Sequence, residues 1–123
     1  MISAMNYFRV ERLNVSFSTY LGRRQVLDLD ELVIEKGQSY GLVGESGSGK
    51  SVLGLAILNL LASPPATVSG EIELDGDSLL TLTQEKMRRV RGRKISMIFQ
   101  DPMSTLNPVF TVGDQITRAI RNN

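Results

Sequence analysis

Gly44, Gly49, Lys50 and Ser51 stand in the spacing G-x-x-x-x-G-K-[ST], with Glu45, Ser46, Gly47 and Ser48 filling the variable positions. Those residue types are what a polyphosphate needs. Glycines let a backbone wrap around phosphate oxygens with N–H groups pointing inward, at φ values that a Cβ penalises. A lysine sets a compact positive charge against the outer phosphates. A serine hydroxyl supplies one ligand to a Mg2+ ion, which keeps several waters and takes few protein groups.

Such a loop needs a strand that delivers the chain and a helix whose N-terminus adds its dipole to the anion site. Both flanks read that way. Residues 39–43 are a short, largely apolar run, expected to be a buried parallel strand. Residues 52–62 are apolar on nearly every face, which predicts a buried helix ended by Pro64 and Pro65. A flexible Gly/Ser linker, the bland alternative, predicts neither flank.

The surrounding elements must hold this unit in place. Residues 8–17 read as a half-exposed strand, with Leu13, Val15 and Phe17 alternating against polar neighbours. A polar turn containing Gly22 leads to an antiparallel partner over 26–35, and Lys36, Gly37 and Gln38 turn the chain toward the loop. Residues 63–68 read as a loop. Residues 70–76 alternate cleanly and end in Asp75-Gly76, a tight-turn signal. Thr83 is placed to cap a short helix over 84–91 with Met87 and Val90 inward. A second core strand is expected over 94–100, a loop over 101–108 and a new helix from Thr111.

Composition bounds the function without naming it. The 123 residues are 41% hydrophobic and 22% charged with a formal net charge of +1, as in a soluble globular domain or part of one. That near balance argues against a general nucleic-acid binder. With no cysteine, disulfides and thiolate metal sites are excluded. The longest apolar run is too short to span a bilayer, and the first residues show no signal-peptide pattern. Lys86, Arg88, Arg89, Arg91, Arg93 and Lys94 form a basic cluster that suits RNA or anionic lipid, but such a run is more often a solvated helix face. No aromatic residue interleaves with it to stack bases, so no nucleic acid is expected as a partner.

Three further features narrow the reading. Tyr20 sits on a turn thirty positions before Lys50. Residues 70–76 show the pattern G-E-I-x-L-D-G, and Ile98-Phe99-Gln100-Asp101-Pro102 brings Gln100 fifty positions after Lys50. With the glycine-rich loop, these resemble the nucleotide-binding domain of ABC ATPases over essentially the whole chain. The run 99–108, Phe-Gln-Asp-Pro-Met-Ser-Thr-Leu-Asn-Pro, and Glu45 within the loop are similar to the ATP-binding subunits of dipeptide, oligopeptide and nickel importers.

The resemblance implies an α/β fold, a P-loop NTPase core with an antiparallel β subdomain. It implies ATP and Mg2+ as cofactors. Tyr20 would stack on adenine, although a turn aromatic without that role is the alternative. Gly47, Ser48, Gly49, Lys50, Ser51 and Val52 would offer backbone N–H groups to the phosphates. Lys50 would bridge the outer two phosphates, and Ser51 would ligate Mg2+. Gln100 matches the Q-loop glutamine, whose amide oxygen approaches the metal or the attacking water. The implied partners are a second ATPase subunit, as a homo- or heterodimer, and transmembrane permease subunits, on the cytoplasmic face of the cell membrane. A non-transport ABC ATPase of DNA-repair or translation type, another importer or exporter subfamily, and a non-catalytic nucleotide-binding fragment remain as alternatives.

The family pattern also includes an L-S-G-G-Q signature, an acidic strand carrying the metal aspartate and catalytic glutamate, and a γ-phosphate histidine. None occurs here, and the chain has no histidine. The expectation is the N-terminal part of one such domain, residues 1–123, that holds a phosphate site without useful turnover and leaves an edge of its core sheet unpaired.

Overall fold

Alternation builds the sheet. The computed structural model describes residues 6–45, 47–101 and 103–123. β1 (Asn6–Thr19) and β2 (Gly22–Glu35) form a long antiparallel hairpin closed by Tyr20 and Leu21. Thr19 and Gly22 are paired across the tip, and the Thr19 hydroxyl both donates to the Gly22 carbonyl (2.7 Å) and accepts from the Leu21 N–H (3.2 Å). Both strands run further than the sequence pattern suggests, so the polar turn shrinks to two residues.

The buried apolar residues of β1 are Phe8 and Val10, then Leu13 and Val15. That change of parity comes from an irregularity between Glu11 and Asn14 in the pairing of β1 with β3 (Ala66–Leu74). Arg12 has φ 50 there, and Gly70 on β3 has φ 110. A Cβ on Gly70 would meet the Arg12 carbonyl and lie 2.8 Å from the Leu13 Cα. The extra residue keeps one apolar face of β1 continuous past the bulge. Val10 pairs with Leu32 on one side and Ile72 on the other, and all three are buried.

Asp75 and Gly76 make the expected tight turn, with φ 48 and 89, into the two-residue strand β4 (Asp77–Ser78). Two positive φ values are what a type I′ hairpin requires. The sheet order is β2-β1-β3-β4, antiparallel throughout. β3 begins at Ala66, inside the stretch 63–68 expected as loop, because Ala66, Thr67 and Val68 pair with Phe17, Ser16 and Val15. On the opposite face Arg9 lies among Glu11 (3.4 Å), Glu73 (3.7 Å) and Glu71 (4.0 Å). Glu11 and Glu71 stand directly across from each other, and the shared guanidinium offsets that like-charge pairing.

Helix α1 covers Lys50–Ile57, shorter than the helix expected over 52–62. It stops before the prolines for a local reason. Asn59 adopts φ 53, its N–H donates to the Ala56 carbonyl (3.0 Å), and the Leu60 N–H reaches back to Leu55 (2.9 Å). This pair of bonds is a Schellman closure with asparagine in the left-handed position. The buried Leu53 and Ala56 give α1 its inner face.

The chain divides into two units, Met1–Thr83 and Gln84–Asn123. The second holds α2 (Gln84–Val90) and α3 (Val112–Asn122). Met87 and Val90 are buried, as the helix pattern requires. Thr111 caps α3 by accepting from the Asp114 N–H at 3.1 Å.

Among the described residues the expected parallel core strands are not assigned. Residues 39–43 and 94–100, both expected as core strands, carry no strand; the nearest feature is an isolated bridge between Arg91 and Ile95. A parallel strand is held by neighbours on its edges and layers on its faces. Among the described residues no strand pairs with either segment, and Val43 and Ile98 are 96% and 95% exposed.

Candidate functional site

The glycine-rich loop and the start of α1 lie against β2. Gly49 is the N-cap of α1, with φ 97. Its Cα faces the sheet so closely that a Cβ would lie 2.8 Å from the Val26 carbonyl oxygen and 3.1 Å from the Leu27 side chain. Only glycine meets both demands. Gly47 is also left-handed, at φ 85, but faces open space. A Cβ on Gly44 would meet the Ser48 hydroxyl oxygen at 2.6 Å. Gly49 is thus crowded by β2, and Gly44 by the Ser48 hydroxyl of its own loop.

Lys50 closes the loop into a ring. Its Nζ donates to the carbonyl of Gly44, to the carbonyl of Glu45 (2.9 Å) and to the Ser48 hydroxyl (3.2 Å). The Ser48 N–H donates to the Glu45 carbonyl at 3.1 Å. From Gly49 onward the helical ladder begins, with the Leu53 N–H on the Gly49 carbonyl (2.9 Å). Lys50, Ser51 and Val52 make the first turn of α1, whose N–H groups a helix leaves without intrahelical acceptors. Ser51 is exposed at this end of the helix. Ser46, also expected in the site, lies outside the described residues.

Ser48, Gly49 and Lys50 form one wall of a cleft of about 190 Å³, with Leu27, Asp28, Leu29, Leu42, Val43 and Leu53 around it. The β2 residues were not legible as site residues. Leu27 and Leu29 read as ordinary strand residues, and nothing in the spacing aims Asp28 at the loop. Among the described residues Asp28, exposed on β2, is the one acidic residue along a cleft whose other lining is Lys50, Ser48, Gly49 and aliphatic side chains.

Tyr20 stands at the tip of the β1–β2 hairpin, 96% exposed, and is not among the residues lining the cleft. Gln100 belongs to the second unit, on an exposed bend after residues 94–99. Beside it Met97, Ile98, Phe99 and Thr105 surround a hollow of about 310 Å³. The loop that follows is pinned by Gln115, which was not singled out from the sequence. Its amide nitrogen donates to the carbonyls of Asn107 (3.0 Å) and Phe110 (3.1 Å), and its amide oxygen accepts from the Asn107 N–H (2.9 Å).

The family described as ABC transporter matches residues 27–122, from the wall of the cleft to the end of α3. The chain belongs to the ABC transporter family. It is similar to the oligopeptide transport ATP-binding protein OppD of Bacillus subtilis, at 44% identity over 98% of this chain and 34% of that protein. It is 46% identical to the dipeptide transport ATP-binding protein DppD of the same organism, over 90% of this chain and 33% of the relative. To the DppD protein of Escherichia coli it is 38% identical, over 95% and 36%. The chain thus spans about a third of the length of these curated relatives. The antiparallel sheet and its helices are consistent with part of an ABC nucleotide-binding domain. Among the described residues no helix is long and apolar enough to cross a membrane.

Proposed function

We propose that this chain is part of the ATP-binding subunit of an ABC importer for peptides or a related small solute, and that residues 1–123 belong to one nucleotide-binding domain with a P-loop core. The observation that carries this reading is the ring of Gly44, Ser48, Gly49 and Lys50 at the N-terminus of α1, in a family member whose relatives are named as peptide transport ATP-binding proteins.

The ring fits a polyphosphate on its own chemistry. Its glycines admit backbone geometry that a Cβ would obstruct, the first turn of α1 offers N–H groups that a helix leaves without intrahelical acceptors, and its one ammonium is held by exchangeable carbonyl contacts. In the proposed complex Lys50 trades the Gly44 and Glu45 carbonyls for the oxygens of the outer two phosphates, and N–H groups from Gly47 to Val52 surround them. Ser51 suits Mg2+, since that ion accepts one hydroxyl among waters and phosphate oxygens. Mg2+ would supply charge neutralisation between the outer phosphates. The exposed ring of Tyr20 is free to stack on adenine. Gln100 is carried as a metal-approaching residue that senses the γ-phosphate, on the resemblance of residues 98–102 alone.

Hydrolysis, pairing with a second ATPase subunit, docking under permease subunits and a peripheral place on the cytoplasmic face are proposed for the whole protein. Titration of the chain with a fluorescent ATP analogue tests the binding step. Saturable binding that needs Mg2+ and is lost in Lys50→Ala supports it; binding equal in wild type and variant contradicts it.

A further inference from the structure

The net charge of +1 conceals two opposed charges. Met1–Thr83 carries six basic and ten acidic side chains, net −4, whereas Gln84–Asn123 carries eight basic and three acidic ones, net +5. Within the second unit the basic groups are gathered. Lys86, Arg88 and Arg89 lie on α2, and Arg91, Arg93 and Lys94 follow on the turn at Gly92. That turn is fixed by φ 82 at Gly92 and by its N–H on the Ile95 carbonyl (2.8 Å). A Cβ on Gly92 would lie 2.7 Å from the Asn123 side chain, so the end of α3, with Arg121 in its last turn, lies beside the same turn. Arg88, Arg89, Arg93, Lys94 and Arg121 are all exposed. Glu85 is the one carboxylate in residues 84–94, and it pairs with Arg89 at 3.3 Å between side chains more than 70% exposed, a pairing that solvent keeps weak.

We propose that this face, centred on Arg88, Arg89 and Arg93, lies on the anionic headgroups of a phospholipid surface. Clustered arginine and lysine side chains on a rigid face gain from a negatively charged bilayer without any need for a shaped pocket. Residues 84–94 hold no aromatic side chain, which removes the stacking contacts that single-stranded nucleic acid uses. The choice of lipid over nucleic acid rests on the proposed transport function; the electrostatic argument does not.

Co-sedimentation of the 123-residue chain with phosphatidylcholine vesicles, with and without phosphatidylglycerol, tests the proposal. The expected result is binding only to the anionic vesicles, weakening at least tenfold from low to high salt. Each neutralised charge is expected to weaken partition about fivefold, and R88Q/R89Q/R93Q about a hundredfold. Circular dichroism of that variant separates lost charge from lost fold, and the salt dependence of the unaltered chain is independent of any variant. Equal binding to neutral vesicles, no binding to anionic ones, a triple variant that still binds, or displacement from vesicles by a DNA duplex would each overturn it. ATP binding is measured on the same samples. Vesicle binding lost with ATP binding kept rejects this inference alone, and the reverse rejects the proposed nucleotide site alone.

Discussion

The Lys50 ammonium donates to the carbonyl of Gly44, six residues back at the far end of the same loop. This bond ties the first glycine of the loop to the first residue of α1, and contacts to Glu45 and Ser48 add to it. In the proposed complex these carbonyl contacts are exchanged for phosphate oxygens, so the same ammonium serves both arrangements.

Gly49 and Gly47 are both left-handed, but only Gly49 is crowded, with the Val26 carbonyl oxygen 2.8 Å from a would-be Cβ. Gly47→Ala is expected to cost about 1 kcal/mol from its φ alone. Gly49→Ala adds a backbone clash, and a loss of about 2–3 kcal/mol is expected. Urea unfolding of the two variants compares them directly; equal losses would remove the close approach to β2 from the account.

Asp28 lines the cleft beside Lys50 and Gly49. An exposed negative charge on this strand repels a polyphosphate through solvent, so Asp28→Asn is expected to tighten ATP binding about threefold at low salt and less at high salt. Titration at two ionic strengths checks the sign and its screening.

Gln115 holds the segment around Asn107 and Phe110 through both ends of its amide. Gln115→Ala removes those bonds and leaves exposed backbone groups to water. A cost of about 1–2 kcal/mol is expected. Hydrogen exchange should show the Asn107 amide losing protection, while the amides of β1 are unchanged.

Local chemistry made part of this fold legible. Asp75 and Gly76 carry the backbone preferences of a type I′ turn in their own structures, and Thr111 caps α3 with its own hydroxyl. What depended on distant partners was less visible. The bulge at Arg12 exists because Gly70 allows β3 to approach, and the pairing of 66–68 with β1 overrides a loop-like composition. The end of α1 at Ile57 rather than near Pro64 turns on the left-handed Asn59 and two backbone bonds around it. The segments 39–43 and 94–100 have strand composition, but composition supplies no neighbour for a parallel ladder.

For the site, the spacing of Gly44, Gly49 and Lys50 gave the ring, since the loop's geometry is carried by its own residues. Asp28 and Leu27 joined it only through the position of β2 against α1, a tertiary relationship.

The central claim is that the ring closed by Lys50 holds the phosphates of ATP. Isothermal titration of ATP with Mg2+ into the 123-residue chain and into Lys50→Ala tests it most directly. The account predicts one saturable site in the unaltered chain and a loss of at least a hundredfold in affinity, about 3 kcal/mol, in the variant, because a charge-assisted contact to two phosphates disappears. An affinity for ATP that does not change when Lys50 is replaced, in a variant whose unfolding curve is unaltered, would contradict it.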